Sequence, residues 1–175
     1  MTSASTSPLS AATAWAVYDL SLPGRADLLA KDEAELRVLG AVILAAGRKP
    51  AQGHEFLDGV EAEAQWFQQD KWRATLQALR TDLASAVDGE VFLRAARRAV
   101  WLASRAQTGP APTLLFGAGL AESLAVWLAG KLLAVPFVAT IDDDTRWEKK
   151  LIQQLKAEAR CVRDASITAA LTPPA

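Results

Sequence analysis

The run TLLFGAGLAESLAVWLAGKLLAVPFVATIDDD, residues 113–144, decides the fold class. Thr113-Leu-Leu-Phe116 is a short apolar run, and Gly117-Ala-Gly119 turns it into a segment whose Leu120, Leu124, Trp127, Leu128 and Leu132 recur at helical spacing. Lys131 and Pro136 interrupt the apolar stretch that follows. It therefore reads as a helix and then a strand, Val135-Pro-Phe-Val-Ala-Thr-Ile141, not as a membrane span, which needs about 20 apolar residues without such breaks. Strand, tight turn, helix, strand is the repeating unit of a parallel sheet.

The same alternation appears upstream. Trp15-Ala-Val-Tyr-Asp-Leu20 is a candidate first strand, stopped by the turn residues Ser21-Leu-Pro-Gly24. Residues 26–39 mix Leu28, Leu29 and Leu36 with charges at amphipathic helical spacing, and Gly40 closes that helix. Ala41-Val-Ile-Leu-Ala-Ala46 is a second buried-strand candidate. Residues 60–107 contain no proline and only Gly89 as a glycine. Trp72, Leu76, Leu79 and Leu83 fall on one helical face, and Phe92, Ala95, Ala96, Ala99 and Ala103 on another. The reading is an α/β fold: a Rossmann-like parallel sheet flanked by helices, with a helical insertion between the second and third strands. Residues 1–13 form a disordered tail, 14–170 a single domain, and 171–175 a second tail. A final short element holds Cys161 and Val162, and Asp142-Asp-Asp144 opens a helix running to about Arg160.

Composition narrows the function classes. In 175 residues, 19 basic and 20 acidic side chains leave a net charge of −1, so no overall field attracts nucleic acid or an anionic membrane. One cysteine excludes a disulfide framework, and one histidine excludes any metal site or relay that needs two imidazoles. Residues 1–13 lack the basic start and apolar run of a secretory signal, which leaves the cytoplasm as the expected location.

Ligands of a parallel sheet sit beyond the carboxyl ends of its strands. Three loops are expected there, bearing Gly24 and Arg25, then Gly117, Gly119 and Glu122, then Asp142, Asp143 and Asp144. Arg25 is expected to be the only nearby cation able to answer the aspartates. Gly117 and Gly119 read first as a turn that needs room; two glycines do not make a dinucleotide fingerprint. The aspartates cap the following helix or, alternatively, Asp142 and Asp144 hold a divalent cation; no metal is expected on the first reading. His54-Glu55 with Asp58 mimics half of a zinc motif and reads as a solvent-facing helix start. Arg94, Arg98, Trp101 and Arg105 form a stripe opposite the alanine face, read as solvated. The six tryptophans default to packing, although an exposed Trp101–Trp127 patch would mark a protein-interaction module.

Three segments carry a resemblance: LPGRADLLAKDEAELRVLGAVILAAGRKP, FLRAARRAVWLASRAQ, and TLLFGAGLAESLAVWLAGKLLAVPFVATIDDD. Together they resemble the N-terminal, acceptor-side domain of family-4-like glycosyltransferases of the GT-B fold, over most of residues 14–145. Similar family members often carry histidines after the third and fourth strands, where this chain has Gly117-Ala-Gly119 and Asp142-Asp-Asp144. The resemblance implies a sugar or lipid-linked acceptor, no cofactor, and a separate donor-binding domain as partner, or else a non-catalytic scaffold. The stretch from Gly117 to Leu155 is also similar to the aspartate-motif segment of GT-A-fold transferases. That second likeness implies a metal-dependent sugar-nucleotide enzyme using the aspartate cluster, but it covers only about a quarter of the chain and lacks the N-terminal nucleotide-binding strand.

Overall fold

The computed structural model describes residues 13–48, 51–58, 70–83, 87–141, 147–163 and 166–172. The elements in chain order are β1 (Ala14–Asp19), α1 (Arg25–Val38), β2 (Val42–Ala46), β3 (Glu55–Phe56), α2 (Asp70–Asp82), α3 (Gly89–Thr108), β4 (Leu114–Gly117), α4 (Leu120–Leu133), β5 (Phe137–Ala139), α5 (Lys149–Glu158), β6 (Cys161–Val162) and α6 (Ile167–Leu171). The six strands form one sheet in the order β3-β2-β1-β4-β5-β6, and every pairing is parallel. This is the doubly wound α/β fold read from the sequence. The chain winds outward from β1 to β3, returns beside β1 as β4, and winds on to β6, so the strand order reverses between β1 and β4.

The period-2 alternation of strand side chains splits the core into two layers. Trp15 and Val17 of β1, Leu44 and Ala46 of β2, Leu115 of β4, and Phe137 and Ala139 of β5 face the layer built from α2, α3, α4 and α5. Ala16 and Tyr18, Ile43, Leu114 and Phe116, and Val138 face the opposite layer, where α1 and α6 pack. With helices on both faces, the central strands have no solvated side, and all six residues of β1 are buried. On the α1 face the Tyr18 hydroxyl donates to Asp32 at 2.8 Å, and Arg163 grips the same carboxylate with two bonds of 2.7 Å. That cluster fastens β1, α1 and the end of β6 together.

Three expectations change. Residues 54–58 do not start a helix: Glu55 and Phe56 form the edge strand β3 beside Leu44 and Ala45. Arg105 of α3 pairs with Glu55 and stacks on Trp15, which anchors that edge. The strand expected over residues 135–141 is shorter, because Pro136 has no N–H for the ladder and β5 begins at Phe137. Ile167–Leu171 is a short helix capped by Ser166, and Leu171, expected in the tail, is buried against the sheet.

Candidate functional site

The carboxyl ends of β1 and β4 flank the point where the strand order reverses, the place at which open α/β sheets take their ligands. β1 ends on Asp19, and the chain then turns through Gly24, whose φ of 77° lies in the left-handed region that glycine enters without a Cβ penalty. That turn sets Arg25 as the first residue of α1, with its side chain reaching back into the protein and only 10% exposed. β4 runs into Gly117-Ala118-Gly119, held beside β1 by a bond from the Ala118 N–H to the Val17 carbonyl at 3.1 Å. Gly117 is required by the backbone packed against it, and Gly119 only by the place the Arg25 side chain takes. A Cβ on Gly117 would come within 2.6 Å of the Ser123 backbone nitrogen, and one on Gly119 would overlap the Arg25 guanidinium.

Glu122 lies in the first turn of α4 and is fully buried. Its Oε2 accepts from Arg25 Nε at 2.6 Å and from the Asp19 backbone N–H at 3.0 Å, while Oε1 accepts from Arg25 Nη2 at 3.2 Å. Burial pushes the Glu122 carboxyl up; the Arg25 bond and charge and the Asp19 amide pull it back, and burial wins. The Asp19 side chain faces the other way. Its Oδ1 accepts from the Ser21 hydroxyl at 2.6 Å and the Ser21 N–H at 3.0 Å, and its Oδ2 accepts from Arg98 Nη1 at 2.7 Å. Burial raises Asp19 too, but Ser21 and Arg98 outweigh it and hold the carboxyl below the usual aspartate range. Arg98 also donates to both oxygens of Asp58, at 3.1 and 3.4 Å, and Asp58 accepts from the Gly47 N–H at 2.6 Å. Burial works against the Arg98 charge, and the two aspartates more than restore it.

A line of alternating charges thus crosses the ends of four neighbouring strands, from Asp58 after β3, past Gly47 after β2, through Asp19 of β1, to the Arg25–Glu122 pair beside β4. The amide end of α4 is a natural seat for a phosphate, since unpaired N–H groups and the helix dipole both favour an anion there. Here the chain brings its own carboxylate, Glu122, to that first turn, with Arg25 as its counter-charge. No protein-family model matches the chain, and no curated protein matches it. Among the described residues no group of three or more His, Cys, Asp or Glu side chains is placed to hold a metal ion. No helix among them is long and apolar enough to cross a membrane.

Five of the expected site residues come together: Gly24, Arg25, Gly117, Gly119 and Glu122. Asp142, Asp143 and Asp144, expected as helix caps or alternatively as metal ligands, lie outside the described residues. Arg25 is not the only cation at this edge, because Arg98 joins it and each arginine answers its own acid. Arg98 also overturns the reading of its stripe as solvated. It is 6% exposed, whereas Arg94, one helical turn earlier, is exposed. Asp58, expected on a solvent-facing helix, instead ties Gly47 to Arg98. His54 sits before β3, away from this edge, with its Nε2 on Glu33 at 3.0 Å. Ser123 is no free nucleophile: its hydroxyl accepts from the Thr140 N–H at 3.0 Å. Trp127 is 1% exposed and Trp101 partly buried against the core, so the two do not form an exposed aromatic patch. The signal missed in the sequence was Asp19 itself, a carboxylate closing an otherwise apolar strand.

Proposed function

We propose that this domain is the acceptor-side half of a GT-B-like glycosyltransferase, binding a sugar or lipid-linked acceptor at the β1–β4 crevice and acting with a separate donor-binding domain. The carrying observation is the Arg25–Glu122 pair. A Rossmann-like half that binds a nucleotide keeps its helix amides free for phosphate, whereas α4 meets its own carboxylate in its first turn. A neutral, hydroxyl-rich ligand makes no demand on that seat and needs donors and acceptors at short reach. The loop after β1 is exposed at Ser21, Pro23 and Gly24, beside the buried turn 117–119, and gives a ligand its approach to this edge. The resemblance of residues 14–145 to family-4-like acceptor domains supports the same division of labour. In this reading the chain orients the attacking hydroxyl, and the donor's diphosphate is bound by the partner.

Amide spectra of the ¹⁵N-labelled chain test the reading directly. Alkyl glucosides and mannosides below their micelle concentrations should move the Ser21, Gly24, Gly117, Ala118 and Gly119 signals, while uridine- and guanosine-diphosphate sugars leave them in place. Nucleotide sugars that shift these amides, with the alkyl glycosides silent, would make the domain a donor site and overturn the assignment.

A further inference from the structure

The edge strand β3 is attached to the sheet mainly through polar side chains. Its ladder covers two residues, Glu55 beside Leu44 and Phe56 beside Ala45, continued by one bond from the Leu57 N–H to the Ala45 carbonyl at 2.8 Å. Leu57 is its one fully buried apolar side chain, and Phe56 is exposed. The other three side chains of residues 54–58 each end on an ionisable partner from a helix: His54 on Glu33 of α1, Glu55 on Arg105 of α3, and Asp58 on Arg98 of α3. Glu33, Glu55 and Asp58 keep 30%, 44% and 30% of their side chains exposed, so water and salt compete for all three contacts. Closure also leaves His54 Nδ1 buried with no partner, a cost that opening removes. Gly53, at φ 88°, precedes the segment in the left-handed region and gives it a hinge.

Asp58 lies at the far end of this segment and fills a donor set that suits a carboxylate. Arg98 Nε donates to Oδ1 at 3.1 Å and Nη2 to Oδ2 at 3.4 Å, and the Gly47 N–H donates to Oδ2 at 2.6 Å. None of these donors belongs to the segment: Gly47 follows β2, and Arg98 is held from β1 by Asp19 at 2.7 Å. Asp19 already takes part of the Arg98 charge, so the seat fits a single negative charge better than a phosphate dianion. We propose that residues 54–58 are a charge-latched strap that opens as one unit ahead of the rest of the fold, and that Asp58 is an autoinhibitory stand-in for a carboxylate ligand that binds Gly47 and Arg98 when the strap opens. The device does not depend on what the β1–β4 crevice binds.

Amide hydrogen exchange of the full chain, read by NMR, tests both parts. The Leu57 N–H should be at least about tenfold less protected than the Ala118 N–H, which bonds to Val17 inside the sheet, and sodium chloride should widen the gap. At equal ionic strength sodium acetate should speed Leu57 exchange further, in a saturable way, and move the Gly47 amide and Arg98 Nε–H signals. An anion that binds only the open state shifts the population towards it. In D58A, which lacks the internal competitor, acetate should bind at least about tenfold tighter than in the parent, and inorganic phosphate more weakly than acetate. Equal protection at Leu57 and Ala118, or acetate acting no differently from chloride, would overturn the proposal without recourse to a variant. So would a D58A protein with the parent's melting curve that binds acetate no tighter. Phosphate binding more tightly than acetate would overturn the carboxylate assignment.

Discussion

Arg25 and Glu122 stand 97 residues apart in the chain and meet with Nε 2.6 Å from Oε2, in space that Gly119 leaves open by having no side chain. The glycine, the guanidinium and the carboxylate therefore form one unit: none of the three is replaceable without disturbing the other two. Because Glu122 is fully buried, an Arg25 displaced from it leaves the carboxyl with the Asp19 N–H and no counter-charge, and such breaks are among the costliest single changes in a protein.

G119A should accordingly destabilise the fold by about 3 kcal/mol, far more than a methyl group on an extended residue would otherwise cost. R25A should lose a similar amount, and the G119A/R25A double variant should fall well short of the sum, since both remove the same contact. Urea unfolding of the three variants measures this. Strict additivity would show that the methyl is accommodated without moving Arg25.

Arg94 and Arg98 lie on one stripe of α3, yet only Arg98 reaches Asp19 and Asp58. R98M should cost about 3–5 kcal/mol because it strands the buried Asp19 carboxylate, and R94M should stay within about 0.5 kcal/mol of the parent. Adding D19N to R98M should recover part of the loss. Chemical denaturation of the set decides it, and equal effects at the two arginines would contradict the buried network.

Asp19 and Glu122 titrate in opposite directions. Asp19 is held below its ordinary value, so it contributes stability that is present above the unfolded value of 3.8 and lost as pH falls through its folded value. Glu122 is held above 4.5, so its contribution is present below that value and lost as pH rises through the folded one. Measured as urea midpoints at stepped pH, D19N should flatten the acid limb below about pH 4, whereas E122Q should gain on the parent as pH climbs from about 4.5 towards neutrality. An E122Q difference that stays constant across that range would refute the upward displacement of Glu122.

Ala134 closes α4 with φ 57°, and it is the one non-glycine residue with positive φ among those described. The left-handed backbone costs an L-residue about 1–2 kcal/mol, of which glycine's greater chain entropy returns part. A134G should therefore raise stability by about 0.5 kcal/mol, read as an upward shift in melting temperature. A lower melting temperature would show that the methyl contributes packing worth more than the strain.

The apolar runs 41–46 and 113–116 were legible as buried strands because a segment with no polar face has to be covered on both sides, and helices on the two faces of the sheet do cover β2 and β4. The helical spacing over residues 89–108 and the crowded turn at Gly117 and Gly119 were equally local properties, written in neighbouring residues. β3 was not legible. Two residues with one charge carry no pattern, and they form a strand only because β2 offers an edge and Arg105 holds Glu55 there. The fate of the charged residues was likewise invisible along the chain. Arg98 finds its acids 79 and 40 residues away, and Glu122 finds its arginine 97 residues away. Periodicity specifies which side of a helix or strand must avoid water, since that depends on the next few residues. Whether an arginine on that element stays in solvent or is buried against a carboxylate depends on which strand ends lie side by side, and that is settled only when the sheet closes.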